Sequence, residues 1–266
     1  MVKLNNEQEY AKYMMNTGHN IFITGGAGVG KTLAIQEFIR ESQDKGKGVM
    51  VVAPTGIAAL NIGGVTIHRQ FKASGKPLIN KTKIDNEVMY ALENTDIIII
   101  DEISMCRIDL FDYMLRYITE ANCAREFKRK GRIQVIISGD FFQLPPVTLP
   151  DERAIFEKYY GLSYGSGFCF NSMYWNALEL KYVVLTKVER QSDSEFANAL
   201  NMVRMGRFDG AIAIENLCSK KSIDKAINLY GRNSDVENRN NEELDKIQGF
   251  KRVFLADIKG EAKIKD

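Results

Sequence analysis

Residues Gly25 to Thr32 read GGAGVGKT, four glycines in a run that closes on a lysine and a threonine. The spacing fits the pattern GxxxxGK[ST], and each residue type has a chemical reason to be there. Glycines let the backbone curl so that successive N–H groups face one anion. Lys31 extends a cation toward the terminal phosphate oxygens of a nucleotide, and the Thr32 hydroxyl is a hard ligand for Mg²⁺. Gly25, Gly26, Ala27, Gly28, Val29, Gly30, Lys31, Thr32 and Leu33 are therefore the expected binding set for ATP, with Mg²⁺ as the metal. A glycine-rich turn without function is the bland alternative. It fits less well, because the motif follows the apolar strand IFIT and opens a helical pattern near Lys31.

A second acidic signal is DIIIIDE, in which the strand Ile97 to Ile100 delivers Asp101 and Glu102 to its carboxyl end. Open α/β sheets bind ligands at that edge. Asp101 is expected to hold the metal, together with Thr32. Glu102 is expected to act as general base on an attacking water, the step that separates a hydrolase from a nucleotide holder. An acidic pair that only caps the helix after Ser104 is the alternative.

These residues need elements to hold them. Short apolar runs (IFIT, VMVVA, IIII, IQVIIS) alternate with helix-period segments at 33–39, 57–62 and 110–118. Near-continuous apolar strands bounded by Gly, Pro or Asp indicate a parallel sheet covered on both faces, a doubly wound α/β domain. The basic stretch AREFKRKGR (124–132) and the Gly-, Ser- and aromatic-rich 151–172 read as surface excursions, with a further small insertion at about 72–90. A helical pattern runs from Asp193 to Met205. Near Ala226 a new strand, helix and strand begin with AINLYG and end with RVFLA. The first domain is expected to span 1–206, and 207–266 to start a second.

Composition sets further bounds. With 36 Lys+Arg against 34 Asp+Glu, net +2, nucleic-acid contacts must come from local patches and not from overall charge. The four cysteines, Cys106, Cys123, Cys169 and Cys218, lack metal-ligand spacing and read as buried thiols of a reducing compartment. The polar N-terminus does not resemble a signal peptide, and no apolar run is long enough to span a membrane. A soluble intracellular protein, monomeric, is the expectation.

Taken in order, LNNEQ, GGAGVGKT, APTGIAALNIGGVTIHRQF, DEISM, GDFFQLPPV, LTKVERQ and LYGRNSDVENRNNEEL resemble the PIF family of superfamily-one, RecD-like DNA helicases. The resemblance runs from Leu4 to about Gly260 and implies a RecA-like P-loop NTPase followed by part of a second RecA-like domain. It implies ATP hydrolysis coupled to five-prime to three-prime movement on single-stranded DNA or a forked duplex, in replication, recombination, repair or telomere maintenance.

The resemblance also assigns roles. Gln8 matches an adenine-reading glutamine, where the bland reading is an exposed first-turn residue. Gln143 matches the γ-phosphate sensor, and Arg190 in VERQ the arginine that reaches the γ-phosphate. Pro54, Thr55, Gly56, Thr66 and His68 fall in DNA-contact motifs, and Phe71 is a candidate for stacking on a base. The basic turn from Arg125 to Arg132 is a weaker candidate for phosphate contact, since charged turns are usually just solvated.

The sequence departs from the family pattern in two places. A Phe-Gly-Gly stretch is usual ahead of the GDFFQLPPV strand, where this chain reads KRKGRIQ. Later family motifs, including a second arginine at the ATP site, would lie beyond IKGEAKIKD, so the expectation is the N-terminal motor portion of such a helicase. A nucleotide-switched DNA-binding module and a DNA-independent P-loop ATPase are the competing readings.

Overall fold

The computed structural model describes residues 3–79, 85–161, 167–189, 194–218, 227–249 and 252. Two compact units are present, Met1–Leu217 and Cys218–Asp266.

The first unit is built on a six-stranded, all-parallel sheet: β1 (Ile21–Gly25), β2 (Val49–Ala53), β3 (Val65–Thr66), β4 (Ile97–Ile100), β5 (Gln134–Gly139) and β6 (Lys181–Leu185). Their spatial order is β3-β2-β4-β5-β1-β6, with every pairing parallel. All six carboxyl ends therefore lie along one edge. The connecting helices are α1 (Asn6–Asn16), α2 (Lys31–Asp44), α3 (Gly56–Ile62), α4 (Ile67–Gln70), α5 (Asn86–Glu93), α6 (Ile108–Phe127), α7 (Pro150–Tyr160), α8 (Met173–Ala177), α9 (Ser194–Arg204) and α10 (Phe208–Leu217).

The central strands β1, β4 and β5 read as nearly unbroken apolar runs because both faces are covered, whereas the edge strand β6 leaves Tyr182 and Val184 exposed. Along β4, Ile97 and Ile99 join Ala34, Ile35 and Phe38 of α2 and Ala11 and Met15 of α1 in one core. The alternating Ile98 and Ile100 face the other way, onto Phe111, Met114 and Tyr117 of α6. This is the two-residue side-chain period of a strand used twice, once for each helical layer.

Several local expectations change. The helix α6 continues to Phe127 through the start of the predicted basic excursion, and α7 occupies part of the segment read as aperiodic. The basic turn is a structural latch. Arg125 is buried and donates to Gly131 O, Glu93 O and Asp96, while Lys128 pairs with Glu93. Cys106 and Cys169 are buried as expected, but Cys123 and Cys218 are exposed. Along α6, Cys123 falls on the solvent face between the buried Ala121 and Arg125. The helix α10 packs on α9 so closely that a Cβ at Gly210 would lie 2.6 Å from Met202 Cβ, and α10 belongs to the first unit.

In the second unit the expected polar helix is α11 (Asn233–Asp245), with no buried residue and with Arg239 paired to Glu242 and Glu243. Residues 227–230 form no strand, whereas the RVFLA segment, apart from Arg252, lies outside the described residues. No helix among the described residues is long and apolar enough to cross a membrane.

Candidate nucleotide site

The loop between β1 and α2 has the conformation that only its glycines permit. Gly30 sits at φ 80°, the left-handed region, as the N-cap of α2, and a Cβ there would lie 2.2 Å from Gln8 Nε2. At Gly25 a Cβ would lie 2.2 Å from the Leu185 carbonyl oxygen. Any side chain at either position would push the loop off its neighbours. The N–H groups of the first turn of α2, a helix of 14 residues, then face the loop, and the helix dipole adds positive potential where phosphates would sit.

Lys31 is buried, and its ammonium donates to the carbonyl oxygens of Gly25 (2.8 Å) and Gly26 (3.2 Å). Burial pushes its pKa down, with the charges of Glu102, Asp140 and Asp101 acting against that. Turning to a polyphosphate would exchange two neutral acceptors for anionic ones, a stronger class of hydrogen bond.

Across β5 from β1, the fully buried β4 presents Asp101 at 3 % exposure, and the Asp101 N–H donates to Val52 O. Glu102 follows in a left-handed conformation, φ 52° and ψ 44°, and starts a 3-10 turn over Ile103–Met105. A non-glycine residue held there stores backbone strain, which is characteristic of functional sites. Burial raises the Asp101 pKa. Burial and then the neighbouring Asp101 charge raise that of Glu102. A carboxylate of raised basicity is what a general base needs.

Among the described residues no cluster of three or more His, Cys, Asp or Glu could hold a metal. The Thr32 hydroxyl and the Asp101 carboxylate supply oxygen only, which fits Mg²⁺ shared with phosphates and not an all-protein cage.

The remaining strand of the trio, β5, leads directly into Asp140, which is fully buried. Its carboxylate accepts from Phe142 N–H (3.2 Å), Gln143 Nε2 (3.1 Å), Arg204 Nε (2.7 Å) and Arg204 Nη2 (2.9 Å). Gln143 itself is exposed. Nothing in the spacing of LNMVRMG marked Arg204, whose partner lies 64 residues away.

Gln8 is not an exposed first-turn residue. At 2 % exposure its side-chain oxygen accepts from Asn5 N–H (3.0 Å), and its Nε2 donates to Val29 O in the phosphate loop (3.0 Å). The amide keeps one N–H and one lone pair, enough to meet an adenine edge. It lines a cleft of about 890 Å³ with Leu4, Asn5, Gly28, Leu33 and Glu189. Two ties that close this cleft leave no signal in residue spacing, Glu189 N–H to Gly28 O (2.9 Å) and Asn5 Nδ2 to Glu189 (2.8 Å). Glu7 likewise accepts from the Thr186 and Lys187 N–H groups after β6. Arg190 lies outside the described residues.

The candidate DNA-contact residues sit on the same edge but at the far side of the sheet, after β2 and β3. Pro54 is half-buried, Thr55 caps α3 by accepting from Ala58 N–H (3.3 Å), and Gly56 is exposed. Thr66 caps α4 by accepting from Arg69 N–H (3.2 Å). Burial, then the Arg107 charge, lowers the pKa of His68, which favours its uncharged ring. Phe71 must be corrected. Its ring is fully buried and edge-to-face with Tyr117 (5.8 Å), so it is core and presents no face to a base.

Together the parallel sheet, the glycine loop and the acidic pair define a RecA-like P-loop NTPase. Comparison with known proteins places it more narrowly. Residues 3–212 match the family model of the PIF1-like helicase, and the chain belongs to that family. It is 36% identical over 258 residues to the ATP-dependent DNA helicase RRM3 of Saccharomyces cerevisiae, covering 89% of this chain and 33% of that protein. To the ATP-dependent DNA helicase Pif1 of Campylobacter jejuni it is 32% identical over 270 residues, covering 93% of this chain and 56% of the relative. The crystal structure of Pif1 helicase from Bacteroides in complex with ADP-AlF3 and ssDNA superposes with a TM-score of 0.77 at 33% identity. That match covers 94% of this chain and 58% of the other. The chain thus spans between a third and somewhat over half of the length of these relatives.

Proposed function

We propose that this chain is the ATP-hydrolysing motor portion of a DNA helicase, acting on single-stranded DNA or a forked duplex and moving five-prime to three-prime. The observation that carries the reading is convergence. Strands β1, β4 and β5 deliver the glycine loop, the Asp101–Glu102 pair and the Asp140–Gln143 turn to one stretch of the sheet edge.

In this reading Gln8 meets the adenine edge, and the loop N–H groups with Lys31 take the β- and γ-phosphates. Thr32 and Asp101 would hold Mg²⁺, which supplies neutralisation of phosphate charge. Glu102 accepts the proton of a water whose oxygen attacks the γ-phosphorus, and the bond to the bridging oxygen breaks to release ADP. Gln143 senses the γ-phosphate, and Arg190 adds a cation to it. The segments at Pro54–Gly56 and Thr66–His68 grip the strand through backbone amides and small polar groups. A first RecA-like domain, expected over 1–206 and carried on to Leu217 by the packing of α10, with the start of a second after it, belongs to the same proposal. The names of the yeast and bacterial relatives support the activity, and the Bacteroides complex with ssDNA supports the ligand.

Steady-state ATP hydrolysis, measured with and without a single-stranded oligonucleotide, tests the proposal. Strong stimulation by DNA is expected. Nucleotide-dependent DNA affinity without turnover would replace the motor with a switched binding module. Turnover indifferent to DNA would leave a plain ATPase.

A further inference from the structure

We propose that Arg204 is a positioning residue of the ATPase site, holding Gln143 in its sensing orientation through Asp140 and so tying α9 to the nucleotide. The proposal deepens the reading above and rests on it.

Each link is built from groups with few alternatives. Asp140 has no contact with solvent, and a buried carboxylate can only accept. It therefore fixes which end of the Gln143 amide faces it. The NH₂ group donates inward, while the carbonyl oxygen and the second N–H remain for a phosphate or a water. What fixes Asp140 is the guanidinium of Arg204, which forks across both carboxylate oxygens at 2.7 and 2.9 Å. Burial alone would raise the Asp140 pKa. The hydrogen bonds from Arg204, Gln143 and Phe142 N–H more than offset this and hold it below the ordinary carboxylate value.

Arg204 also touches both walls of the site. Its guanidinium lies 4.7 Å from the centre of the Phe142 ring, in the same loop as Gln143. Its stem runs along the phosphate loop, where a Cβ at Gly26 would sit 3.6 Å from Arg204 Cδ. A recess of about 270 Å³ between loop and helix is lined by Gly26, Ala27, Gly28, Gln143, Asn201 and Arg204. Arg204 is the last residue of α9, and α10 packs against that helix. A shift of the sensor loop with nucleotide state would pull on this helical pair through one bidentate bond, and lysine cannot reproduce that planar fork.

The test uses Trp175, the chain's single tryptophan. Its ring centre lies 5.6 Å from that of Phe141, between Asp140 and Phe142 in the sensor loop, so its emission reports that loop without requiring turnover. Wild type, Arg204→Ala, Arg204→Lys, Gln143→Ala and the Arg204→Ala/Gln143→Ala double variant are titrated with Mg-ADP and with a Mg-bound non-hydrolysable ATP analogue. ATP turnover is measured on the same set.

Wild-type emission is expected to distinguish triphosphate from diphosphate. Both Arg204 variants should bind each nucleotide within about threefold of wild type but lose that distinction, with kcat reduced roughly 10- to 100-fold and KM little changed. In the double variant, Arg204→Ala should add nothing to the loss caused by Gln143→Ala. Retained emission contrast in folded Arg204→Lys, multiplicative losses in the double variant, or no contrast in wild type would each overturn the proposal. Absence of Lys31-dependent turnover in wild type would instead sink the hydrolysis reading, while the emission titrations would still decide the role of Arg204.

Discussion

The two halves of the sheet's carboxyl edge are furnished differently. Around β1, β4 and β5, polar groups are tied to partners far away in sequence: the buried Gln8 amide to Val29, the buried Asp140 carboxylate to Arg204, and the Glu189 N–H to Gly28. One and two strand spacings beyond β4, roughly 5 and 10 Å, the hydroxyls of Thr55 and Thr66 after β2 and β3 make only local bonds. Thr55 and Thr66 each cap the helix that follows them, and Phe71 is core. The nucleotide half is therefore a preformed polar network, whereas the other half offers a nucleic acid mainly free backbone and solvent-facing surface. That division suits a ligand of fixed shape on one side and a sequence-indifferent strand on the other.

The largest effects belong to the preformed half. Lys31→Ala is expected to reduce ATP turnover by at least about 1000-fold, because Lys31 is the cation seated within the loop while the guanidinium of nearby Arg204 is committed to Asp140. Glu102→Gln should also block hydrolysis but keep ATP binding, measured by a fluorescent analogue, near the wild-type value. Normal turnover in Glu102→Gln would remove the general base and weaken the contrast between the halves.

Next comes Phe71→Ala, which should cost about 3–5 kcal/mol of stability in chemical denaturation, the usual range for emptying a buried phenylalanine site. Phe71→Leu should recover most of that and leave DNA affinity unchanged. A loss of single-strand affinity in the folded leucine variant would mean the ring reaches a base after all.

What the residues disclosed on their own follows the same division. The alternation of apolar runs with helical segments predicted β1, β2, β4 and β5, since a strand covered on both faces is apolar throughout, but not the two-residue β3 or the edge strand β6, which exposes alternate residues. The glycine loop and the acidic pair were legible because their chemistry is local, a few adjacent residues in fixed order. Arg204, Asn5 and Glu189 were not, because each acts through a partner brought close only by the fold. Phe71 misled for the opposite reason. An aromatic following a motif looks the same in sequence whether it faces solvent or core, and only the packing of Tyr117 decides. In the basic turn, two of the cations, Arg125 and Lys128, proved to be committed to Asp96 and Glu93, while Arg129 and Arg132 stay on the surface.

That turn gives a smaller test. Lys128→Ala combined with Lys130→Ala should leave single-strand affinity within about twofold and its salt dependence unchanged, because these lysines serve Glu93. Were they phosphate contacts, the slope of log affinity against log salt would fall by about one for each lysine removed.

The smallest effect is the most informative about the far half. Thr55→Ala and Thr66→Ala each remove an N-cap acceptor and should each cost about 1 kcal/mol in thermal or denaturant unfolding, with Thr→Ser costing only a few tenths. If the hydroxyls serve only as caps, the KM for ATP stays unchanged and single-strand affinity falls no further than the loosened helix starts require. If either hydroxyl also meets DNA, its alanine variant will lose affinity well beyond its stability loss, and serine will restore both together. The ratio of those two losses, measured at one salt concentration, says whether this edge grips the strand with side chains or leaves that to the backbone that the caps hold in place.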